Sequence, residues 1–178
     1  MNRPEDVVIV LAEDDPGHAR LIEKNLRAVI ANKFVRFGNG KDALDYLRRE
    51  EQATHQHLLL LDLNMPVMDG YQVLSHLKMD PRTELIPVIV LTTTDNPEEI
   101  QRCYDLGCNA YVVKSADYGE FTEAMRRLGL FLSITRMPGE AAISSTVPGA
   151  RYRIGLAVSK PTGWSAPVPE KDPHGRPG

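Results

Sequence analysis

Four short stretches of this chain are almost wholly apolar: Val7–Leu11, Leu58–Leu61, Val88–Leu91 and Tyr111–Val113. A strand with one face in water alternates apolar and polar residues. A strand that is apolar throughout must be covered on both faces, which is the mark of a parallel sheet with helices on either side. Lys33–Phe37 is more mixed, as suits an edge strand. None of these runs approaches the roughly 20 apolar residues that a membrane-crossing helix needs.

The intervening stretches carry helical punctuation. Asp15-Pro16 reads as an N-cap followed by proline at the first helical position, and Ala19, Ile22, Leu26 and Val29 then recur at helical spacing. Asp69 opens another helix with Val73, Leu74 and Leu77 inward, and Asp80-Pro81 stops it. Asn96-Pro97 with Glu98 and Glu99 makes a capped, acid-rich first turn, and Gly107 closes that helix. Asn39–Arg49 and Asp117–Thr135 supply two more. Right-handed crossovers wind five such βα units into an α/β, doubly wound, flavodoxin-like parallel sheet, with the order 2-1-3-4-5 expected.

Composition changes near Met137. The last 42 residues hold 7 of the 13 prolines and 6 of the 13 glycines, more than a packed domain tolerates. The reading is a folded domain over 1–136 and a Pro/Gly-rich tail over 137–178, partly or wholly disordered. Within that tail Tyr152, Ile154, Leu156 and Val158 alternate like a half-buried strand, which would need a sheet edge or a partner to lie on. A net charge of −3 exerts no general pull on nucleic acid or anionic lipid. The N-terminus, with two acids before a short apolar stretch, is unlike a secretory signal. Cys103 and Cys108 match no zinc or disulfide pattern, so two reduced thiols in a cytoplasmic protein are expected.

In such a sheet, ligands bind beyond the carboxyl ends of the strands. Glu13-Asp14-Asp15 follows the first strand, Asp62-Leu63-Asn64 the third, Thr92-Thr93 the fourth and Lys114 the fifth. Asp15 is accounted for as a cap. Carboxylates gathered from two different strands repel one another unless a cation lies between them. A hard divalent ion suits them, and Mg²⁺ fits best, because it takes few carboxylates and leaves positions for water and phosphate oxygens. Lys114 is a compact positive charge suited to a phosphoryl oxygen or a carboxylate, and the Thr92 hydroxyl can donate to the same group. Together these are the parts needed for phosphoryl transfer onto an aspartate.

EDD after the first strand, DLNMPVMDG at 62–70, TT at 92–93 and YVVK at 111–114 resemble the receiver domain of two-component response regulators. The likeness runs through about residues 6–135 in order and spacing. It implies that Asp62 is the phosphoacceptor, fed by a sensor histidine kinase. It implies that Asp14 and Asp62 ligate Mg²⁺ directly, that Glu13 holds the ion through water and that Asn64 offers its backbone carbonyl. Thr92 and Lys114 would hold the phosphoryl group, and Tyr111 would be the aromatic switch that swings inward when Thr92 moves. More narrowly, LDLNMP, IPVIVLTTT and NAYVVK resemble the single-domain receivers that serve bacterial phytochrome kinases. One position departs from the pattern: Ser115 follows Lys114, where proline after a cis peptide is usual. That puts the placement of the Lys114 amine in question.

The resemblance implies a switch that is no enzyme beyond catalysing its own phosphorylation and dephosphorylation. A receiver-fold binding module that works without phosphate is the alternative; its marker would be a missing acid, threonine or lysine, and all are present. An aspartate-nucleophile phosphotransferase of the haloacid type needs a second acid where Asn64 stands. The tail is too short for an ordinary DNA-binding output domain, so output passes through protein contacts on the face of the fourth helix, fifth strand and fifth helix. His18, His55, His57 and His76 lack metal-ligand spacing, and Arg48, Arg49, Arg126 and Arg127 read as solvated helix faces. In the last helix, Phe121, Met125, Leu128 and Leu132 form the inward stripe. Leu130 and Ile134 lie nearly opposite, with Phe131 between, and this second apolar patch points to a homodimer. Receivers of this kind pair there, which the resemblance adds.

Overall fold

The computed structural model describes residues 6–49 and 56–134. The tail at 137–178, its alternating stretch at 151–159 and His55 lie outside the described residues. In chain order the elements are β1 (Val8–Ala12), α1 (Pro16–Arg27), β2 (Phe34–Phe37), α2 (Gly40–Leu47), β3 (His57–Leu61), α3 (Gly70–Met79), β4 (Val88–Thr92), α4 (Pro97–Asp105), β5 (Ala110–Val113) and α5 (Tyr118–Ile134). The strands pair in parallel in the order β2-β1-β3-β4-β5, as expected. In register, Val10 of β1 lies between Val35 of β2 and Leu59 of β3, and Leu61 of β3 lies beside Val90 of β4.

Successive strand side chains point to opposite faces, so each all-apolar strand feeds two cores. Val8, Val10, Leu59, Leu61, Val88 and Val90 pack under α2, α3 and α4. Ile9, Leu11, Leu58, Leu60, Ile89 and Leu91 pack under α1 and α5, with Ile22, Leu26, Met125 and Leu128. Leu58 to Leu61 have no exposed surface, which is why β3 reads as an unbroken run of leucines. β2 is only half-buried, the edge position its mixed sequence requires.

Helix starts fall where the caps place them. The Asp15 carboxylate accepts the His18 backbone N–H at 2.7 Å. Asp69 and Gln72 form a reciprocal capping box, with bonds of 2.8 and 3.1 Å. Gly107 ends α4 with φ +101°, a left-handed conformation open to glycine. Gly70 is required for a different reason: a Cβ there would stand 2.4 Å from the Asp62 carbonyl oxygen. The first turn of α3 is therefore pressed against the Asp62 backbone.

Two expectations need correction. The fourth apolar run continues one residue further, because the Thr92 carbonyl accepts the Lys114 N–H at 2.6 Å and so joins the ladder to β5. Arg48 is not a solvated residue. Its Nε lies 3.1 Å from the Asp80 carboxylate and its Nη2 donates to the His76 carbonyl at 3.2 Å, tying the end of α2 to the end of α3. Cys103 and Cys108 are buried, and burial lifts their thiols to about 11 and about 12, so neither supplies a thiolate. No helix among the described residues is long and apolar enough to cross a membrane.

Strain sits beside the third strand's loop. Val67 has φ +68° and is 79% exposed. The Met68 N–H donates to the Pro66 carbonyl at 2.8 Å, closing a γ-turn around it. A β-branched residue pays for that conformation with no packing in return. Val67→Gly is expected to raise unfolding stability by about 1 kcal/mol, after allowing for the added freedom of the unfolded chain. Urea denaturation measures this, and an unmoved midpoint would show that the turn is unstrained.

Candidate functional site: an acidic cluster with a buried lysine

β1 ends at Ala12, and Glu13 and Asp14 follow at the carboxyl edge of the sheet. Next to it β3 ends at Leu61, and the Asp62 N–H donates back to the Ala12 carbonyl at 2.9 Å. That bond locks the two acid-bearing loops together. Glu13 and Asp62 are buried at 4% and 6% exposure, while Asp14 faces solvent. One carboxylate oxygen from each of Glu13, Asp14 and Asp62 falls within 4.8 Å of the others.

β5 delivers Lys114 to the same place. Its Nζ donates to Glu13 Oε2 at 2.7 Å and lies 3.4 Å from Asp62 Oδ1, with all three side chains buried. Burial pushes the Glu13 and Asp62 carboxyls above their ordinary values, and the lysine beside them pulls both back without cancelling it. Backbone N–H groups of Leu63 and Asn64 also face the Asp62 carboxyl. The Glu13 carboxylate accepts the Asp15 N–H at 3.2 Å, and His18 Nδ1 stands 3.9 Å from it at the rim. Three carboxylates against one ammonium leave an excess of negative charge. The donors are all oxygen, and one of them opens to solvent. That set fits a hard divalent cation.

Thr92, at the end of β4, has no exposed surface, and its hydroxyl has no hydrogen-bond partner among the described residues. An unsatisfied buried hydroxyl costs about 1–3 kcal/mol, and the Thr92 hydroxyl is free to donate to a group held at this edge of the sheet. Tyr111 is 8% exposed, and its hydroxyl donates to the Thr94 carbonyl at 3.0 Å, so its ring is turned inward and tied to the loop that starts α4. Asn64 is exposed in the Asp62 loop. The Lys114–Ser115 peptide bond is trans.

The sequence-expected residues Glu13, Asp14, Asp62, Thr92 and Lys114 thus lie along one edge, and the structure gathers the three carboxylates and sets Lys114 against Glu13 and Asp62. On α5, Leu130 is 45% exposed, Phe131 is half-buried against the core and Ile134 is the last helical residue. His57 is buried edge-on against Tyr46, a packing role. Unforeseen contacts include Arg102 over the Tyr71 ring at 4.2 Å, joining α3 to α4, and a hydrogen bond from Ser115 to Glu120. The second pair is five residues apart, outside the three-residue spacing of a capping box, so no capping pattern announces it.

The response regulator receiver domain family matches residues 9–126. A receiver domain structure from Rhodospirillum rubrum is 47% identical, covers 74% of this chain and 96% of its own, and superposes with a TM-score of 0.70. The phosphorylated cyanobacterial phytochrome response regulator RcpA is 36% identical, with 74% and 98% covered and a TM-score of 0.67. A probable methanogenesis regulatory protein from Methanothrix harundinacea, FilR2, is 34% identical over 75% of this chain and 89% of its own. The family match runs from β1 into α5, across all five strands, and this chain belongs to the response regulator receiver family.

Proposed function

We propose that the protein is a phosphorelay switch that takes a phosphoryl group from the phosphohistidine of a sensor histidine kinase onto Asp62. The observation that supports this most is the buried Asp62 carboxylate beside Lys114 and within reach of Glu13 and Asp14. In the transfer an Asp62 Oδ–P bond forms and the N–P bond of the donor breaks. The histidine nitrogen keeps the electron pair and later takes a proton from water. Asp14, Asp62, the Asn64 carbonyl and, through water, Glu13 would hold Mg²⁺. Bound there, Mg²⁺ neutralises charge on the phosphoryl oxygens. Lys114 exchanges Glu13 for a phosphoryl oxygen, and Thr92 donates its unpartnered hydroxyl to another. Tyr111 and the loop it binds follow Thr92, which carries the change to the face of α4, β5 and α5. The likeness to RcpA favours a phytochrome-type kinase as donor.

Incubation with acetyl phosphate and Mg²⁺, then peptide mass spectrometry, tests the chemistry. One phosphoryl group on Asp62 is expected, and none when EDTA replaces Mg²⁺. Labelling elsewhere, or labelling indifferent to EDTA, overturns the reading.

The same proposal includes a homodimer through α5. Leu130 is exposed on the outer face, with Phe131 beside it, and a symmetry mate covers both copies at once. Leu130→Glu combined with Ile134→Lys is expected to give a folded monomer from a dimeric wild type, read by light scattering after gel filtration at micromolar concentration. A monomeric wild type, with and without phosphate, removes the dimer; a double variant that stays dimeric moves the interface elsewhere.

A further inference from the structure

The turn between β5 and α5 holds a closed ring of side-chain bonds. The Asp117 carbonyl accepts the Phe121 N–H at 2.9 Å, the first intrahelical bond, which makes Asp117 the N-cap of α5. Its carboxylate accepts the Glu120 N–H at 2.8 Å. In an ordinary capping box the third helical residue, here Glu120, would reach back to the N-cap backbone N–H. It does not do so. The Glu120 carboxylate instead accepts the Ser115 hydroxyl at 2.7 Å, and the Ser115 oxygen accepts the Asp117 N–H at 3.1 Å. The hydroxyl is thus inserted as a relay, using its donor and an acceptor together, and it belongs to the residue next to Lys114.

Building on the phosphotransfer reading, we propose that Ser115 and Glu120 are positioning residues for Lys114, clamping the turn so that the lysine amine meets the developing charge on the phosphoryl group. On one side of Lys114 its own N–H is fixed to the Thr92 carbonyl. On the other side the peptide is trans, and the relay fixes the direction in which the chain leaves. Lysine acts here on charge that grows in the transition state, so a looser placement slows phosphoryl transfer in both directions, onto Asp62 and from it to water. Ground-state binding of the phosphodonor is left alone.

The test uses the full chain with acetyl phosphate and Mg²⁺. Ser115→Ala and Glu120→Ala should each lower the maximal loading rate, and the rate of phosphate loss after donor removal, by threefold or more. The half-saturating acetyl phosphate concentration, measured at saturating Mg²⁺, should not move. Because both residues act through one relay, the double variant should be no slower than the slower single variant. Ser115→Thr keeps the hydroxyl and Glu120→Gln keeps an acceptor, so both should restore wild-type rates. Wild-type rates in the two alanine variants, or losses that multiply in the double variant, overturn the relay. A wild type that takes no label on Asp62 overturns the phosphotransfer reading beneath it, so the two failures are distinct.

Discussion

Asp62→Asn is expected to abolish phosphorylation and, at neutral pH without metal, to give a more stable protein than the wild type. The acceptor oxygen is lost, so loading from acetyl phosphate should fall to background. Stability moves the other way because Asp62 is buried beside two other carboxylates and burial raises its carboxyl above the ordinary value. A carboxyl raised in the folded state binds its proton more tightly there than in the unfolded chain. Its favourable contribution is full below the unfolded value and is lost as pH rises through the folded one, so at neutral pH ionised Asp62 is a liability. Asparagine keeps the shape without the charge. Lys114 loses a contact at 3.4 Å but keeps Glu13 at 2.7 Å. The variant should therefore be the more stable protein at pH 7, and its advantage should shrink as pH falls toward 4. Urea denaturation in EDTA at the two pH values reads it. A variant less stable than wild type at pH 7 would show that the Lys114 contact outweighs the cost of burying the Asp62 charge.

What could be read before the structure was whatever is local or periodic. The caps at Asp15, Asp69 and Asn96 work through residues two or three positions away, and each falls where the sequence placed it. The parallel pairing followed from the all-apolar runs, since a strand such as β3 is covered on both faces. The acids and the lysine were legible as residues after strand ends, but their pairing was not. Lys114 chooses Glu13, 101 positions away, over Asp62, and only the side-chain geometry decides that. Arg48 was misread because its partners, Asp80 and the His76 carbonyl, come from another helix. Thr92 was placed past the strand because an apolar run shows where hydrophobicity stops, not where the hydrogen-bond ladder stops. The turn at Val67 has no sequence signal at all, since nothing in a valine announces a left-handed conformation.

Lys114→Met should produce the largest loss of stability at the site, about 3 kcal/mol in EDTA at pH 7, in the range for removing one partner of a buried ion pair. The Lys114 and Glu13 side chains are 5% and 1% exposed, so water cannot replace the lost ammonium without opening the site. Methionine fills most of the volume, which leaves charge as the main thing removed. Glu13 and Asp62 are already raised by burial, and Lys114 is what holds them down. Without it both rise further, and the folded protein takes up protons over a wider range above their ordinary values. Stability of the variant should therefore climb as pH falls from 7 toward 5, where wild type changes less. Divalent metal should act in the same direction by another route. It supplies positive charge to ionised carboxylates, and a site holding a ligand at 100 times its dissociation constant gains about 2.7 kcal/mol. The variant lacks the competing ammonium, so millimolar Mg²⁺ should stabilise it more than it stabilises wild type at pH 7. Phosphoryl transfer should still be slow, because the metal restores the charge balance but not a donor to the phosphoryl oxygen that Lys114 serves. A loss of stability that is the same at pH 5 and pH 7, with and without Mg²⁺, would instead assign the effect to packing of the lysine stem.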